Sequence, residues 1–226
     1  MSRLRNVSGS RDVIAESRFC VNGPEKYKGQ WSSLFGNDAP IHIEIGMGKG
    51  RFLMRQAMLN PDINYIGIEM YSSVLVRAVQ KAEETAAAGM DTGNFRFIRM
   101  DANGLAAVFA PGEIKKIYLN FSDPWPKERH AKRRLTSSGF LKLYWSLLPE
   151  GAAVEFKTDN TELFDFSLEE IKESDWTLTA HTYDLYSDPE MLEGNVRTEY
   201  EEKFTAKGNK ICKLVITKAV LHGTEH

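Results

Sequence analysis

The chain has 226 residues, of which 42% are hydrophobic and 11% aromatic, and its formal net charge is −2 at pH 7. This length is enough for one well-buried domain and short for two. The sequence lacks an apolar run of the roughly 18 residues that a membrane span requires, and its first residues lack the apolar centre of a secretory signal. We therefore expect a cytoplasmic protein with no membrane association.

The cysteines and histidines show no metal-binding pattern. Two cysteines, Cys20 and Cys212, are too few for a disulfide framework or a four-ligand zinc site, and the five histidines are scattered along the chain. We expect no metal ion and two chemically inert thiols.

Charge is distributed unevenly along the chain. Residues 161–202 contain 13 acidic and two basic residues, so a site for a polyanion is expected outside that stretch. The first eleven residues contain Arg3, Arg5 and Arg11 and no acidic residue. We interpret residues 1–30 as a basic, partly flexible N-terminal arm and residues 31–226 as a single domain. A solvated tail without a partner explains the arm equally well.

Strand and helix patterns alternate from residue 41 onward, which is typical of an α/β fold. Strands are predicted at residues 41–45, 64–69, 95–100, 117–121, 153–157, 176–186 and 211–218. Helices are predicted at residues 52–59, 74–89 and 138–148, and after the fifth strand with Phe164, Leu168 and Ile171 on one face. We expect a seven-stranded, mostly parallel sheet with helices on both faces. An antiparallel edge strand is expected because no long apolar helix separates the last two strands.

A glycine-rich loop, Gly46-Met-Gly48-Lys-Gly50, follows the first strand. A dinucleotide fingerprint would have its third glycine at position 51, where this chain has arginine. A phosphate-binding loop would have serine or threonine after Lys49, where this chain has glycine. The loop therefore fits neither motif. Glycines that only form a tight turn are the simpler alternative.

Acidic residues near the strand ends indicate the kind of ligand. Glu44 precedes the first glycine by two residues, where it would repel a pyrophosphate and attract a cation. S-adenosylmethionine fits such a site, because it carries a sulfonium and an ammonium and has no phosphate. Glu69 lies where a carboxylate can accept both ribose hydroxyls, and Asp101 can accept from the adenine amine. These acids and Asp123 are expected to meet at one edge of a parallel sheet.

The segment after the fourth strand combines an acid, an aromatic residue and a basic run. Asp123-Pro124-Trp125 follows the strand, and residues 127–134 contain five lysines or arginines. Such a run is usually a solvated surface. Because it lies beside the expected reaction centre, we interpret it as a phosphate-binding strip for a nucleic acid.

Over almost its whole length the chain resembles the bacterial tRNA (guanine-N7-)-methyltransferase family. The matching motifs are Asp123-Pro-Trp-Pro-Lys-x-Arg-His-x-Lys-Arg-Arg134, Glu44-Ile-Gly-x-Gly-x-Gly50, Phe156-Lys-Thr-Asp159 and Thr198-Glu-Tyr-Glu201. The resemblance implies the Rossmann-like class I methyltransferase fold, S-adenosylmethionine as cofactor, S-adenosylhomocysteine as product, and guanosine 46 of the tRNA variable loop as target. A monomer or a homodimer is expected.

The resemblance also implies a role for each site residue. Cofactor contacts are assigned to Glu44, Gly46, Gly48, Gly50, Glu69 and Asp101. Asp123 is the expected catalytic residue. Substrate and RNA contacts are assigned to Lys127, Arg129, His130, Lys132, Arg133, Arg134, Asp159, Thr198, Tyr200 and Glu201.

The chemistry of guanine N7 agrees with this assignment. N7 has an exposed lone pair and loses no proton when it attacks a methyl group, so no general base is required. Asp123 can accept from the guanine N1–H and amine groups and stabilise the positive charge that forms. Trp125 either stacks on the target base or only packs in the loop.

Three alternatives remain open. An exocyclic-amine methyltransferase would have an Asp-Pro-Pro-aromatic loop, whereas one proline separates Asp123 from Trp125 here. A non-catalytic RNA-binding protein would not need the acids at the strand ends. A nicotinamide oxidoreductase would need to bind phosphate where Glu44 lies.

Overall fold

A computed structural model describes residues 8–220. The described part of the chain forms two compact units, which divide between Ala110 and Pro111. Arg3 and Arg5 of the predicted basic arm lie outside the described residues.

The first unit begins with helical segments that the sequence pattern did not predict. These are α1 (Ser10–Glu16), a 3₁₀ helix (Pro24–Tyr27) and α2 (Trp31–Phe35). Ile14 and Phe19 are buried, and α1 packs against helix α4 (Ser72–Ala87). Residues 10–30 are therefore anchored by their few apolar side chains. Helix α1 is too short, at seven residues, to show a helical period in the sequence.

Three parallel strands form the sheet of the first unit. They are β1 (Ile41–Ile45), β2 (Asn64–Ile68) and β3 (Phe95–Ile98), in the order β3-β2-β1. Helix α3 (Arg51–Leu59) connects β1 to β2, α4 connects β2 to β3, and α5 (Leu105–Val108) follows a 3₁₀ helix (Ala102–Gly104). All five residues of β2 are buried, as expected for a strand covered on both faces. A Cβ atom at Gly67 would collide with the Met47 side chain, so this glycine allows the loop after β1 to pack on β2.

The second unit contains four strands in the order β4-β5-β7-β6. The strands are β4 (Ile114–Asn120), β5 (Ala153–Thr158), β6 (Thr177–Thr182) and β7 (Cys212–Thr217). The helices are a 3₁₀ helix (Glu128–Arg133), α6 (Ser138–Leu147), α7 (Thr161–Lys172), a 3₁₀ helix (Leu185–Ser187), α8 (Pro189–Leu192) and α9 (Glu199–Thr205). Strand β4 is parallel to β5, whereas β7 is antiparallel to both β5 and β6.

The predicted seven strands are confirmed in the described part of the chain, and they are mostly parallel. The antiparallel strand is confirmed too, but its position differs from the expected edge. Strand β7 lies between β5 and β6, and β6 forms the edge. Burial gives the physical reason. Most of β7 is buried and needs a neighbour on each side, whereas the polar side chains of β6 are mostly exposed.

Candidate active site

The glycine loop of the first unit is attached to the end of β2. The N–H groups of Gly46 and Met47 both donate to the Ile68 carbonyl, at 2.9 and 3.1 Å. Gly46, Gly48 and Gly50 have φ values of 73°, 58° and 70°, a left-handed conformation that side chains disfavour. Each glycine is therefore required by the backbone, whether or not a ligand is present.

Glu69, directly after β2, connects this loop to the next one. One carboxylate oxygen accepts from the Gly48 N–H at 3.2 Å and the other from the Tyr71 N–H at 2.9 Å. The residue is buried. These bonds orient the carboxylate beside the glycine backbone, and its predicted contact with the ribose hydroxyls stays a prediction.

The other two acids of the first unit differ in exposure. Glu44 lies within β1 and is 2% exposed, so its charge acts through a medium that screens it weakly. Asp101 is exposed, and its Oδ1 accepts from the N–H and the side-chain amide of Asn103, at 2.8 and 2.7 Å. Asp101 thus caps the 3₁₀ helix that follows it. Its contact with adenine stays a prediction.

In the second unit, Asp123 is exposed in a strained loop after β4. Phe121 and Trp125, two residues before and after it, have φ values of 52° and 42°. For residues other than glycine, each such conformation costs about 1–3 kcal/mol and persists only when the surroundings impose it. The Phe121 N–H donates to the Lys157 carbonyl on β5 at 2.8 Å, which holds the start of the loop.

The basic 3₁₀ helix folds back onto this loop. His130 meets the Trp125 ring edge-on, with centroids 5.8 Å apart, and the Arg133 guanidinium lies 4.9 Å from the ring centroid. Arg134 donates from Nε to the Pro124 carbonyl at 3.0 Å and from Nη2 to the Trp125 carbonyl at 3.1 Å. Trp125 therefore anchors the basic segment, and its predicted stacking on a base stays untested.

The remaining cations of the segment face solvent. Lys127, Arg129 and Lys132 are exposed. Exposed cations can contact the phosphates of a nucleic acid, which is consistent with the predicted phosphate-binding strip at residues 127–134. The contact itself stays a prediction.

A buried ion pair lies at the centre of the second unit. Lys157 Nζ and Glu201 Oε2 are 2.7 Å apart, and both side chains are 0% exposed. Lys157 also donates to Asn195 Oδ1 and the Val196 carbonyl, both at 3.0 Å. Glu201 Oε1 accepts from Tyr186 and Asn195, both at 2.7 Å. The pair therefore ties β5 and α9 to the loop between α8 and α9.

The pKa values of both residues in the pair are shifted from their ordinary values. Burial lowers the pKa of Lys157, against the opposing effect of Glu201. Burial would raise the pKa of Glu201, but the Lys157 ammonium and the hydrogen bonds from Tyr186 and Asn195 bring it below its ordinary value. Glu201 is therefore charged near neutral pH, and its observed contacts are internal. Its predicted contact with substrate stays untested.

The other predicted substrate residues lie on or beside α9 and at the end of β5. Thr198 caps α9, accepting from the Glu201 N–H at 2.9 Å. Tyr200 is 55% exposed, and its ring stacks on Phe121 at 6.3 Å. Asp159 directly follows β5, which is parallel to β4, so it emerges at the same sheet edge as the Asp123 loop.

Lys157 and Asn195 were missed as candidates. Lys157 is the last residue of the predicted fifth strand, where alternating polar and apolar residues do not show that its side chain is buried. No local pattern identifies Asn195, which lies 38 residues from Lys157.

The described residues also bear on metal binding, membrane spans and thiol reactivity. Within the described part of the chain, no group of three or more His, Cys, Asp or Glu side chains can hold a metal ion. No helix among residues 8–220 is long and apolar enough to span a membrane.

Burial raises the pKa of the Cys20 thiol to about 12 and that of Cys212 to about 11, so both are protonated at neutral pH.

Solved structures show which fold the chain adopts. An antibiotic-related methyltransferase is 19% identical to this chain, with a TM-score of 0.63 over 88% of this chain and 96% of that one. The 16S rRNA (adenine(1408)-N(1))-methyltransferase of Catenulisporales acidiphilia, solved with S-adenosylmethionine, is 15% identical, with a TM-score of 0.58 over 91% and 95%. The fold is that of the class I methyltransferases.

Sequence comparisons define the family. A family model described as "Putative methyltransferase" matches residues 38–214. The tRNA (guanine-N(7)-)-methyltransferase of Lachnoclostridium phytofermentans is 55% identical over 94% of this chain and 97% of its own length. The Bacillus subtilis enzyme of the same name is 50% identical over 93% and 96%. This chain belongs to the family of S-adenosylmethionine-dependent tRNA (guanine-N7-)-methyltransferases.

Proposed function

We propose that this protein transfers the methyl group of S-adenosylmethionine to N7 of a guanosine in tRNA, at position 46 of the variable loop. One observation carries the proposal: the family motif from Asp123 to Arg134 forms a single packed unit, in which the basic segment folds back onto the loop of Asp123. Relatives named tRNA (guanine-N(7)-)-methyltransferase match across 93–94% of the chain. This match also supports one methyltransferase domain over residues 31–226.

The residues of the first unit fit the cofactor. Glycine backbone, the buried carboxylates of Glu44 and Glu69, and the exposed Asp101 suit a ligand with two cationic groups, ribose hydroxyls and no phosphate. When bound, S-adenosylmethionine supplies a methyl carbon whose bond to sulfur breaks as the bond to N7 forms. The chain then has to orient the guanine and stabilise its new positive charge, and we assign both tasks to Asp123. Since the sulfonium already activates the methyl group, we propose that no metal takes part.

Glu69→Ala is expected to weaken S-adenosylmethionine binding by about 1.5–3 kcal/mol, because it removes a charged acceptor for the ribose hydroxyls. Calorimetry without RNA measures the affinity. Glu84→Ala, at an exposed position of α4, is the matched control and should bind normally. Normal affinity in a folded Glu69→Ala protein would contradict the assigned role.

Arg129→Ala and Lys132→Ala are each expected to flatten the salt dependence of tRNA binding. If both side chains contact phosphates, each loss lowers the slope of log affinity against log salt by roughly 0.7 to 0.9. Lys142→Ala, an exposed lysine of α6, is the control for a general change in charge. If both variants keep the parental slope, Arg129 and Lys132 are solvated surface residues that contact no phosphate.

The proposed function is tested with unmodified tRNA and labelled S-adenosylmethionine. Reduction and aniline treatment should cleave the labelled RNA at one guanosine, and a transcript with adenosine at position 46 should not be labelled. Label without cleavage would indicate methylation of an exocyclic amine. Cofactor and tRNA binding without transfer of label would indicate a non-catalytic RNA-binding protein.

We further propose a cytoplasmic monomer or homodimer. Light scattering coupled to size-exclusion chromatography determines which of the two forms is present.

A further inference from the structure

Arg134 differs from the other cations of the basic segment in what it contacts. It is half-buried, and its guanidinium bridges two backbone carbonyls, those of Pro124 and Trp125. These carbonyls belong to the two residues that follow Asp123. Arg133, by contrast, is exposed and lies over the Trp125 ring.

The loop around Asp123 has limited means of holding itself. Pro124 and Pro126 have no N–H groups, so no backbone hydrogen bond can close on their nitrogens. Phe121 and Trp125 also occupy a backbone conformation that residues other than glycine disfavour. A donor from outside the loop is therefore needed to maintain this conformation.

The position of the Arg134 guanidinium is itself supported from two directions. Its carbon lies 4.3 Å from the centroid of the Phe166 ring on α7. The Arg134 N–H donates to the Ala131 carbonyl, and the Arg134 carbonyl accepts from the Ser137 N–H, both at 3.0 Å. The planar fork of an arginine can bridge two carbonyls in this fixed geometry, whereas a lysine ammonium offers a single donor point.

We propose that Arg134 is a positioning residue that holds the Asp123 loop in its reactive conformation, and that it is not a phosphate contact. This inference rests on the proposed function. Arg134 acts through the Pro124 and Trp125 carbonyls and does not touch the reacting atoms. The neighbouring exposed cations retain the phosphate-binding role.

The test is a comparison of Arg134→Lys and Arg134→Met with the matched control Arg77→Lys, at an exposed arginine of α4 outside the proposed site. For each protein, the single-turnover methylation rate is measured at saturating tRNA and cofactor, together with tRNA affinity across salt and the thermal midpoint. Arg134→Lys keeps the charge but loses the fork, so its transfer rate should fall about ten- to a hundredfold by analogy with small misplacements of reacting groups. Arg77→Lys should transfer methyl at nearly the parental rate.

The salt dependence of tRNA affinity distinguishes a positioning role of Arg134 from a phosphate contact. A positioning residue predicts that Arg134→Met keeps the parental salt slope, whereas a phosphate contact predicts a slope lower by roughly 0.7 to 0.9. Phe166→Leu is the second variant, because it removes the ring beneath the guanidinium and leaves every charge in place. It should lower the transfer rate without changing the slope.

Parental transfer rates in both Arg134→Lys and Phe166→Leu, or a lower salt slope in Arg134→Met, would overturn the positioning role. The wild-type protein in the same assay separates this failure from failure of the proposed function. If the wild type does not methylate N7, the proposed function itself is wrong.

Discussion

Asp123→Asn is expected to lower the single-turnover methylation rate about 10²- to 10³-fold, by analogy with removal of one preorganised electrostatic partner. The amide retains the size of the carboxylate but loses the charge that would stabilise the methylated guanine. Asp123 is exposed in its loop, so cofactor binding, tRNA docking and folding should persist. Asp175→Asn, an exposed aspartate outside the proposed site, is the control for loss of one negative charge.

The pH dependence of the same reaction tests the mechanism. Because N7 loses no proton before it attacks, the wild-type rate at saturating tRNA should not climb tenfold per unit between about pH 5.5 and 8.5. A general-base mechanism predicts such a climb if the base titrates in that window. A methylation rate that rises tenfold per pH unit, or full activity in Asp123→Asn, would contradict the role assigned to Asp123.

Glu201→Ala is expected to lower the free energy of unfolding by about 3–5 kcal/mol, because it leaves the buried Lys157 ammonium without its charged partner. Denaturant titration followed by circular dichroism measures the loss. Lys210→Ala is the matched control. Lys210 pairs with Asp184 at 3.1 Å on the surface, with the lysine side chain 73% exposed, and water screens this pair, so its loss should change the free energy of unfolding little. Equal losses in the two variants would show that burial does not govern the strength of the Lys157–Glu201 pair.

The Lys157–Glu201 pair also predicts acid sensitivity. The pKa of Glu201 is lower in the folded state than its ordinary value, so its contribution is present above the ordinary glutamate range and is lost as pH falls through the lowered pKa. The pKa of Lys157 is lowered as well, so its titration makes stability rise with pH. Folded Glu201→Gln should therefore lose less stability than the wild type between neutral pH and acid. Parallel stability curves for the two proteins would contradict this account.

Local patterns determined the order of the elements and the outline of the cofactor loop. Five consecutive buried positions in β2 and the alternation of strand and helix periods are short-range signals, so the predicted strands lie within a few residues of the observed ones. Gly46, Gly48 and Gly50 were recognised because left-handed turns favour a single residue type. The family motifs were also contiguous in the chain.

Contacts between distant residues were decided only by the tertiary structure. Lys157 and Glu201 are 44 residues apart in the sequence. Nothing in the sequence around either residue indicates that the two charges form a buried ion pair. The place of β7 between β5 and β6 likewise depends on which strand is buried on both sides. In the basic run, sequence counts Arg133 and Arg134 as equivalent charges, whereas folding directs one guanidinium over an indole ring and the other onto two carbonyls. The sequence specifies which polar and charged groups the chain contains, but the tertiary structure decides which of them interact. A buried charge or carbonyl is stable only where the fold brings a complementary group within hydrogen-bond distance.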